Sequence, residues 1–173
     1  PMSGGPLRAS AGRMTLMVAC DDALIERPSA LLRALADPVF RVGRRAGDGA
    51  RTKLVNNLLA AINLAGAAQA LALAERVGLD PGRTLAVIEQ SSGQSWICSD
   101  RLPRAIAGDL APRAHTSLLD KDVRLALGMA AAAGFDVSVG AAAAALFARA
   151  CDNSMASLDD ACLFDMLRKV KPA

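Results

Sequence analysis

The chain has 173 residues, enough for one ordinary domain or one domain with part of another. Its hydrophobic fraction of 53% against 21% charged residues excludes a disordered chain. A net charge of +3 and an aromatic content of 3% exclude the basic, base-stacking surface of a nucleic-acid binder. Alanine supplies 37 of the residues, which favours closely packed helices over an all-β fold.

The first forty-odd residues differ from the rest. Met14 to Cys20 is a short apolar run rich in strand formers, preceded by Gly12. Asp21-Asp22 can cap a helix whose apolar positions include Leu24, Ile25, Leu31, Leu32 and Leu35, with Pro28 near the first turn or at a break. Pro38 to Val42 then reads as a second strand, ended by Gly43. A strand–helix–strand unit buries too little to stand alone. Residues 1–46 are therefore expected to be the last part of a larger sheet domain.

From about Gly49 onward only helices are predicted. Residues 49–77 form one long helix with apolar residues on nearly all sides, as expected in the middle of a bundle, ending at Gly78. Asp80-Pro81 restarts a helix that runs to about Gln90. A polar loop over 91–95 leads into a short helix through Trp96. Further helices are predicted over 116–133, stopped by Gly134, and over 141–150. Ser157 and Asp160 resemble a capping box that opens the last helix. Residues 47–173 thus read as an all-helical domain.

The four cysteines include no CxxC pair and there is one histidine, so no zinc site with the usual spacing is available. The cysteines read as buried or half-buried thiols of a reducing cytoplasm. No secretory signal and no run of about 20 uninterrupted apolar residues is present, so no membrane span is predicted.

Three groups could carry chemistry. Lys53, Asn56 and Asn57 stand at i, i+3 and i+4 near the start of the long helix, so Lys53 and Asn57 share a face. They are either solvated at the helix start or line a cleft. In a cleft, a lysine held partly out of water can donate and accept a proton near neutral pH, and asparagine can hold a hydroxyl or carbonyl. Ser3-Gly4-Gly5 exposes backbone N–H groups that can bind a carboxylate or phosphate, although such a turn also occurs simply for flexibility. Lys121-Asp122, taken alone, reads as a solvated helix face.

Together these motifs resemble the β-hydroxyacid dehydrogenases, the group of 3-hydroxyisobutyrate dehydrogenase, tartronate semialdehyde reductase, threonate dehydrogenase and, more distantly, 6-phosphogluconate dehydrogenase. Pro1-Met2-Ser3-Gly4-Gly5 followed by Ala9, Gly12 and Met14 is similar to their substrate-carboxylate loop. Gly47-x-Gly49-x-x-x-Lys53-x-x-Asn56-Asn57 is similar to their catalytic signature. The elements around Glu75-x-x-Gly78, Ser91-Ser92-Gly93-x-Ser95 and Lys121-Asp122 follow in the same order.

The resemblance implies a helical bundle of the 6-phosphogluconate dehydrogenase C-terminal type after the end of a Rossmann-like domain. It implies that Ser3, Gly4 and Gly5 bind the substrate carboxylate and that Lys53 is the general acid/base. Asn57 would hold the substrate, Trp96 would wall it, and Lys121 would reach an NAD or NADP cofactor. A homodimer or homotetramer through the helical domain and a small hydroxy-acid substrate are also implied. The implied reaction interconverts a short 3-hydroxy acid and its oxo form. The pattern departs at Arg113-Ala114-His115, where relatives often carry an aromatic residue. The Gly-rich pyrophosphate turn is missing: Gly47-Asp48-Gly49 lacks a third glycine and follows the wrong strand. The expectation is therefore a C-terminal portion of the enzyme, inactive by itself. The alternative is a non-catalytic helical dimerisation module. An imine-reductase-like reading is disfavoured by Lys53.

Overall fold

A computed structural model describes residues 1–25 and 29–170. The chain divides into two compact units, Pro1–Asn57 and Leu58–Ala173.

The first unit holds a three-stranded sheet of order β1-β2-β3. Strand β1 (Met2–Ser3) pairs antiparallel with β2 (Thr15–Ala19), with Ser3 opposite Thr15. Strand β3 (Val39–Gly43) pairs parallel with β2, with Met17 beside Phe40. Parallel pairing requires a crossover. It contains α2 (Asp22–Ile25) and α3 (Ser29–Leu35) in place of the single expected helix. The predicted break at Pro28 lies outside the described residues. Two elements were not expected: β1 and the short helix α1 (Gly5–Ser10). Both are too short for a periodicity signal. Tertiary pairing with β2 creates the first, and Pro6 at the start of a helical turn starts the second.

This unit has almost no core. Met17 and Ala36 are its only buried apolar residues among those described, whereas Met2, Leu7, Leu24, Leu31, Leu35 and Phe40 are exposed. The expectation of a sheet too small to stand alone fits this packing.

Helix α4 (Asp48–Arg76) runs through both units and ends before Gly78, whose φ of 83° suits the left-handed stop. In the second unit Ala61, Leu64, Ala65, Ala68 and Leu71 form its buried stripe. The helix does not sit enclosed as its all-round apolar sequence predicts: Leu59 and Leu73 are exposed at 57% and 62%. By length and composition α4 could also cross a membrane. Asn63 and Gln69 interrupt its apolar run. Its inner stripe packs against apolar residues of the helices that follow, in the manner of a core helix.

Those helices are α5 (Pro81–Glu89), α6 (Trp96–Ile106), α7 (Thr116–Ala132), α8 (Ser138–Ala150) and α9 (Cys162–Arg168). Asp80 caps α5 by accepting from the Arg83 N–H at 2.7 Å. Leu102, Val123, Phe147, Leu163 and Phe164 are fully buried at the centre, each large apolar side chain contributing about 1.5–3 kcal/mol. A kinked turn over Cys151–Met155 follows α8, with Ser154 at a φ of 62°. The predicted capping box does not form. Helix α9 starts at Cys162 behind Ala161, and Asp160 is buried in an ion pair with Arg101. The pull of a buried guanidinium overrides the local capping pattern. All four cysteines are free; Cys98 and Cys162 are buried, Cys20 and Cys151 half-buried.

Candidate functional site

In the first unit, the start of α4 packs against the chain start. Gly49, in the first turn of α4, lies against β2 and the chain start. A Cβ on Gly49 would stand 2.6 Å from the Met17 carbonyl oxygen and 2.9 Å from Pro1 Cδ. Pro1 is itself fixed, because its carbonyl accepts from the Met17 N–H at 3.0 Å. Lys53 and Asn57 follow Gly49 at i+4 and i+8, on the face that starts at this contact. Ser3, at the end of β1, and Gly4, ahead of α1, follow Pro1.

Gly4 and Gly5 take φ values of 138° and 66°, both in the region that favours glycine. A Cβ at Gly4 would also press on Arg8 and on the Met14 sulfur at 3.1 Å. The turn therefore needs glycine for conformation and for space. It leaves Ser3 and Gly4 half-buried.

Lys53 and Asn57 are half-buried and Asn56 is exposed. The Asn56 amide donates to Asn57 Oδ1 at 3.1 Å. The arrangement gives a cationic amine and an amide on one half-shielded helix face. It can exchange a proton with a hydroxyl and orient that hydroxyl.

The start of α4 also answers the question of a phosphate cradle. Asp48 opens the helix and its carboxylate accepts from the Arg45 N–H at 3.1 Å. Its other oxygen pairs with Arg51 at 2.5 Å. An anionic side chain occupies this helix start and Gly49 is spent on the sheet contact, so the turn does not fit a pyrophosphate.

Trp96 and Lys121 belong to the second unit. Trp96 is the first residue of α6 and is 59% exposed, so it is not a core anchor. Behind it, Ser95 Oγ donates to Cys98 Sγ at 2.7 Å. Burial pushes the Cys98 thiol pKa up. Lys121 is exposed and its ammonium lies 3.0 Å from Asp122 Oδ1. The pair is not a solvated face: Asp122 is buried, so a shielded carboxylate holds an exposed ammonium. Asp120, one residue ahead of Lys121, is buried too, with one oxygen on Arg124 at 2.6 Å.

The sequence reading missed the largest polar feature of this unit. Arg101, Asp159 and Asp160 are buried. Arg101 Nε donates to Asp160 at 3.0 Å, and Arg104 Nη1 reaches Asp159 at 3.4 Å. The Arg113 N–H donates to Asp159 at 2.8 Å, and its guanidinium to Asp100 at 3.2 Å. Arg113 is thus structural. His115 begins α7 with Nδ1 2.9 Å from the Ser157 carbonyl oxygen. The Asp159-Asp160 pair was the available signal, but nothing local marks it as buried.

Comparison with known proteins gives a consistent picture. The family described as "NAD-binding of NADP-dependent 3-hydroxyisobutyrate dehydrogenase" matches residues 47–167. L-threonate dehydrogenase of Cupriavidus necator is 35% identical over 160 residues, covering 92% of this chain and 54% of that protein. The crystal structure of 3-hydroxyisobutyrate dehydrogenase from Salmonella typhimurium superposes with a TM-score of 0.88 at 31% identity, over 96% of this chain and 58% of that one. The Mycobacterium tuberculosis 3-hydroxyisobutyrate dehydrogenase with L-serine gives the same TM-score and identity over 97% of this chain and 60% of that one. The chain spans little more than half the length of these relatives.

Proposed function

Since this chain belongs to the NAD(P)-binding 3-hydroxyisobutyrate dehydrogenase family, we propose that it is the C-terminal part of an oxidoreductase acting on a short 3-hydroxy acid. The observation that carries this reading is the Gly49 contact. It packs the first turn of α4 against Met17 and Pro1. The Ser3-Gly4-Gly5 turn follows Pro1 in sequence, and Lys53 and Asn57 follow Gly49. The substrates named for the relatives, threonate and 3-hydroxyisobutyrate, and the L-serine of the tuberculosis structure share a carboxylate and a 3-hydroxyl.

In this reading the N–H groups of the Ser3-Gly4-Gly5 turn and the Ser3 hydroxyl bind the substrate carboxylate. Lys53 Nζ, as the amine, accepts the hydroxyl proton while hydride leaves the same carbon. In the reverse direction the ammonium returns that proton to the oxo group. Asn57 orients the hydroxyl so that its proton faces Nζ. When bound, NAD(P) supplies the hydride acceptor. Lys121, steadied by Asp122, serves the cofactor, and Trp96 shields the substrate from water. Each of these two roles is carried by the family's pattern. The dinucleotide itself needs a pyrophosphate cradle that the start of α4 does not provide. A second copy of the chain covers the open face of α4.

The test is NAD(P)-dependent oxidation of threonate, 3-hydroxyisobutyrate, glycerate and serine by this chain joined to a dinucleotide-binding half. Turnover of at least one acid supports the reading. No turnover of any, with cofactor binding intact, refutes it.

A further inference from the structure

The Ser3-Gly4-Gly5 turn carries a cation that its motif does not include. Arg8 lies in α1, four residues after Gly4, so it returns to the face of the turn. A Cβ on Gly4 would lie 2.9 Å from Arg8 Cβ and 3.1 Å from Arg8 Cδ. The Arg8 stem therefore runs along Gly4, and its guanidinium begins at the atom after that Cδ. The Met14 sulfur would stand 3.1 Å from the same Cβ. Stem and thioether pack apolar surface over the glycine, which leaves the charged head at the edge of the turn.

The backbone holds Arg8 in this position. Its carbonyl accepts from the Arg13 N–H at 2.8 Å, and the Gly12 N–H donates to the Ala9 carbonyl at 3.1 Å. Helix α1 is thus tied off just beyond Arg8. Arg8 is half-buried. Among the described residues no carboxylate pairs with it; those of Asp22 and Asp48 are taken by Arg41, Arg44 and Arg51. A half-buried guanidinium has given up part of its hydration, so an anion reaching it gains more than at an open surface. Its planar fork fits two carboxylate oxygens.

We propose that Arg8 is a specificity-determining residue. Its guanidinium closes on the substrate carboxylate held by the Ser3-Gly4-Gly5 turn, so the site takes the free anion of a short hydroxy acid and rejects the neutral amide. The proposal rests on the reading of that turn as the carboxylate site. The N–H groups of the turn can donate to any carbonyl oxygen, charged or neutral. The guanidinium adds a charge-assisted pair that only the anion completes. An amide in its place leaves a partly desolvated cation without a counter-charge. Recognition of the acid end thus falls to Arg8, and Lys53 is left to the hydroxyl.

The experiment is a nitrogen-15 NMR titration of the whole chain with L-threonate and, separately, with its neutral amide at matched ionic strength. The signals followed are the backbone N–H groups of Gly4 and Gly5 and the side-chain Nε–H of Arg8. Expected is that threonate moves all three with one Kd, and that the amide binds at least about tenfold more weakly, as for loss of a charge-assisted hydrogen bond. Arg8→Gln should raise the threonate Kd by about tenfold or more and leave the Kd of the amide unchanged. Arg8→Lys, which keeps the charge and loses the fork, should fall between. Arg13→Gln removes an equal charge from an exposed neighbour and should leave the Kd in place. An unchanged threonate Kd in Arg8→Gln overturns the role of Arg8 and leaves the turn as the carboxylate site. An equal rise in Arg13→Gln shows general attraction and also overturns it. Equal binding of acid and amide by the unaltered chain does the same without any variant. Gly4 and Gly5 signals that ignore threonate overturn the reading of the turn, and the proposal with it.

Discussion

Gly49 stands so close to Met17 that a Cβ on it would lie 2.6 Å from the Met17 carbonyl oxygen. The neighbour is backbone of the central strand, which cannot step aside as a side-chain tip can. Gly49→Ala should therefore destabilise the first unit by about 1–3 kcal/mol, the usual cost of overpacking. That outweighs the gain of about 1 kcal/mol that alanine brings to a helix interior. Gly128 in α7 has open space around its Cα and serves as the control. Gly128→Ala should stabilise by about 0.5–1 kcal/mol. Urea unfolding of both variants measures the contrast, and equal shifts would show that the contact is not tight.

Lys53→Ala should lower kcat of the complete enzyme by about 10²–10⁴-fold, the usual contribution of a positioned general acid/base. Cofactor affinity should change little. Lys53→Arg should not rescue activity, because a guanidinium stays protonated and cannot accept the alcohol proton. Asn57→Ala should lose less, through misorientation. Steady-state kinetics with threonate and 3-hydroxyisobutyrate decide this. Retention of more than about a tenth of kcat in Lys53→Ala would remove Lys53 from the chemistry.

The chain by itself should show no NAD or NADP binding in calorimetric titration. At the start of α4, where glycines follow a strand, the Asp48 carboxylate already accepts from the Arg45 N–H. Lys121 offers one cation, already paired with Asp122. Micromolar affinity would mean that the dinucleotide sits on residues other than those assigned.

Leu59, Gly66 and Leu73 recur every seven residues on α4 and lie along one exposed face. A second copy covering this face predicts a dimer or tetramer in light scattering at micromolar concentration. Leu59→Lys with Leu73→Lys should give a monomer with its helix content retained. A wild-type monomer would refute the contact.

The long helix α4, the start of α5, the glycine stops and the chemistry-bearing spacing are legible in local sequence. Asp80-Pro81 opens α5 because an N-cap and a proline act within one turn. Gly78 and Gly134 end their helices through φ values of 83° and 66° that glycine adopts without strain. The Lys53-x-x-Asn56-Asn57 spacing fixed a shared face by helical period alone. Tertiary structure decided what local pattern cannot encode. Strand β1 exists because β2 offers it a ladder. Asp160 leaves its expected capping role because Arg101, 59 residues away, is buried beside it. Asp122 is shielded while its neighbour Lys121 is not, since adjacent helix positions point to different surroundings. Burial and long-range charge pairing depend on which elements meet, and no periodicity records that meeting.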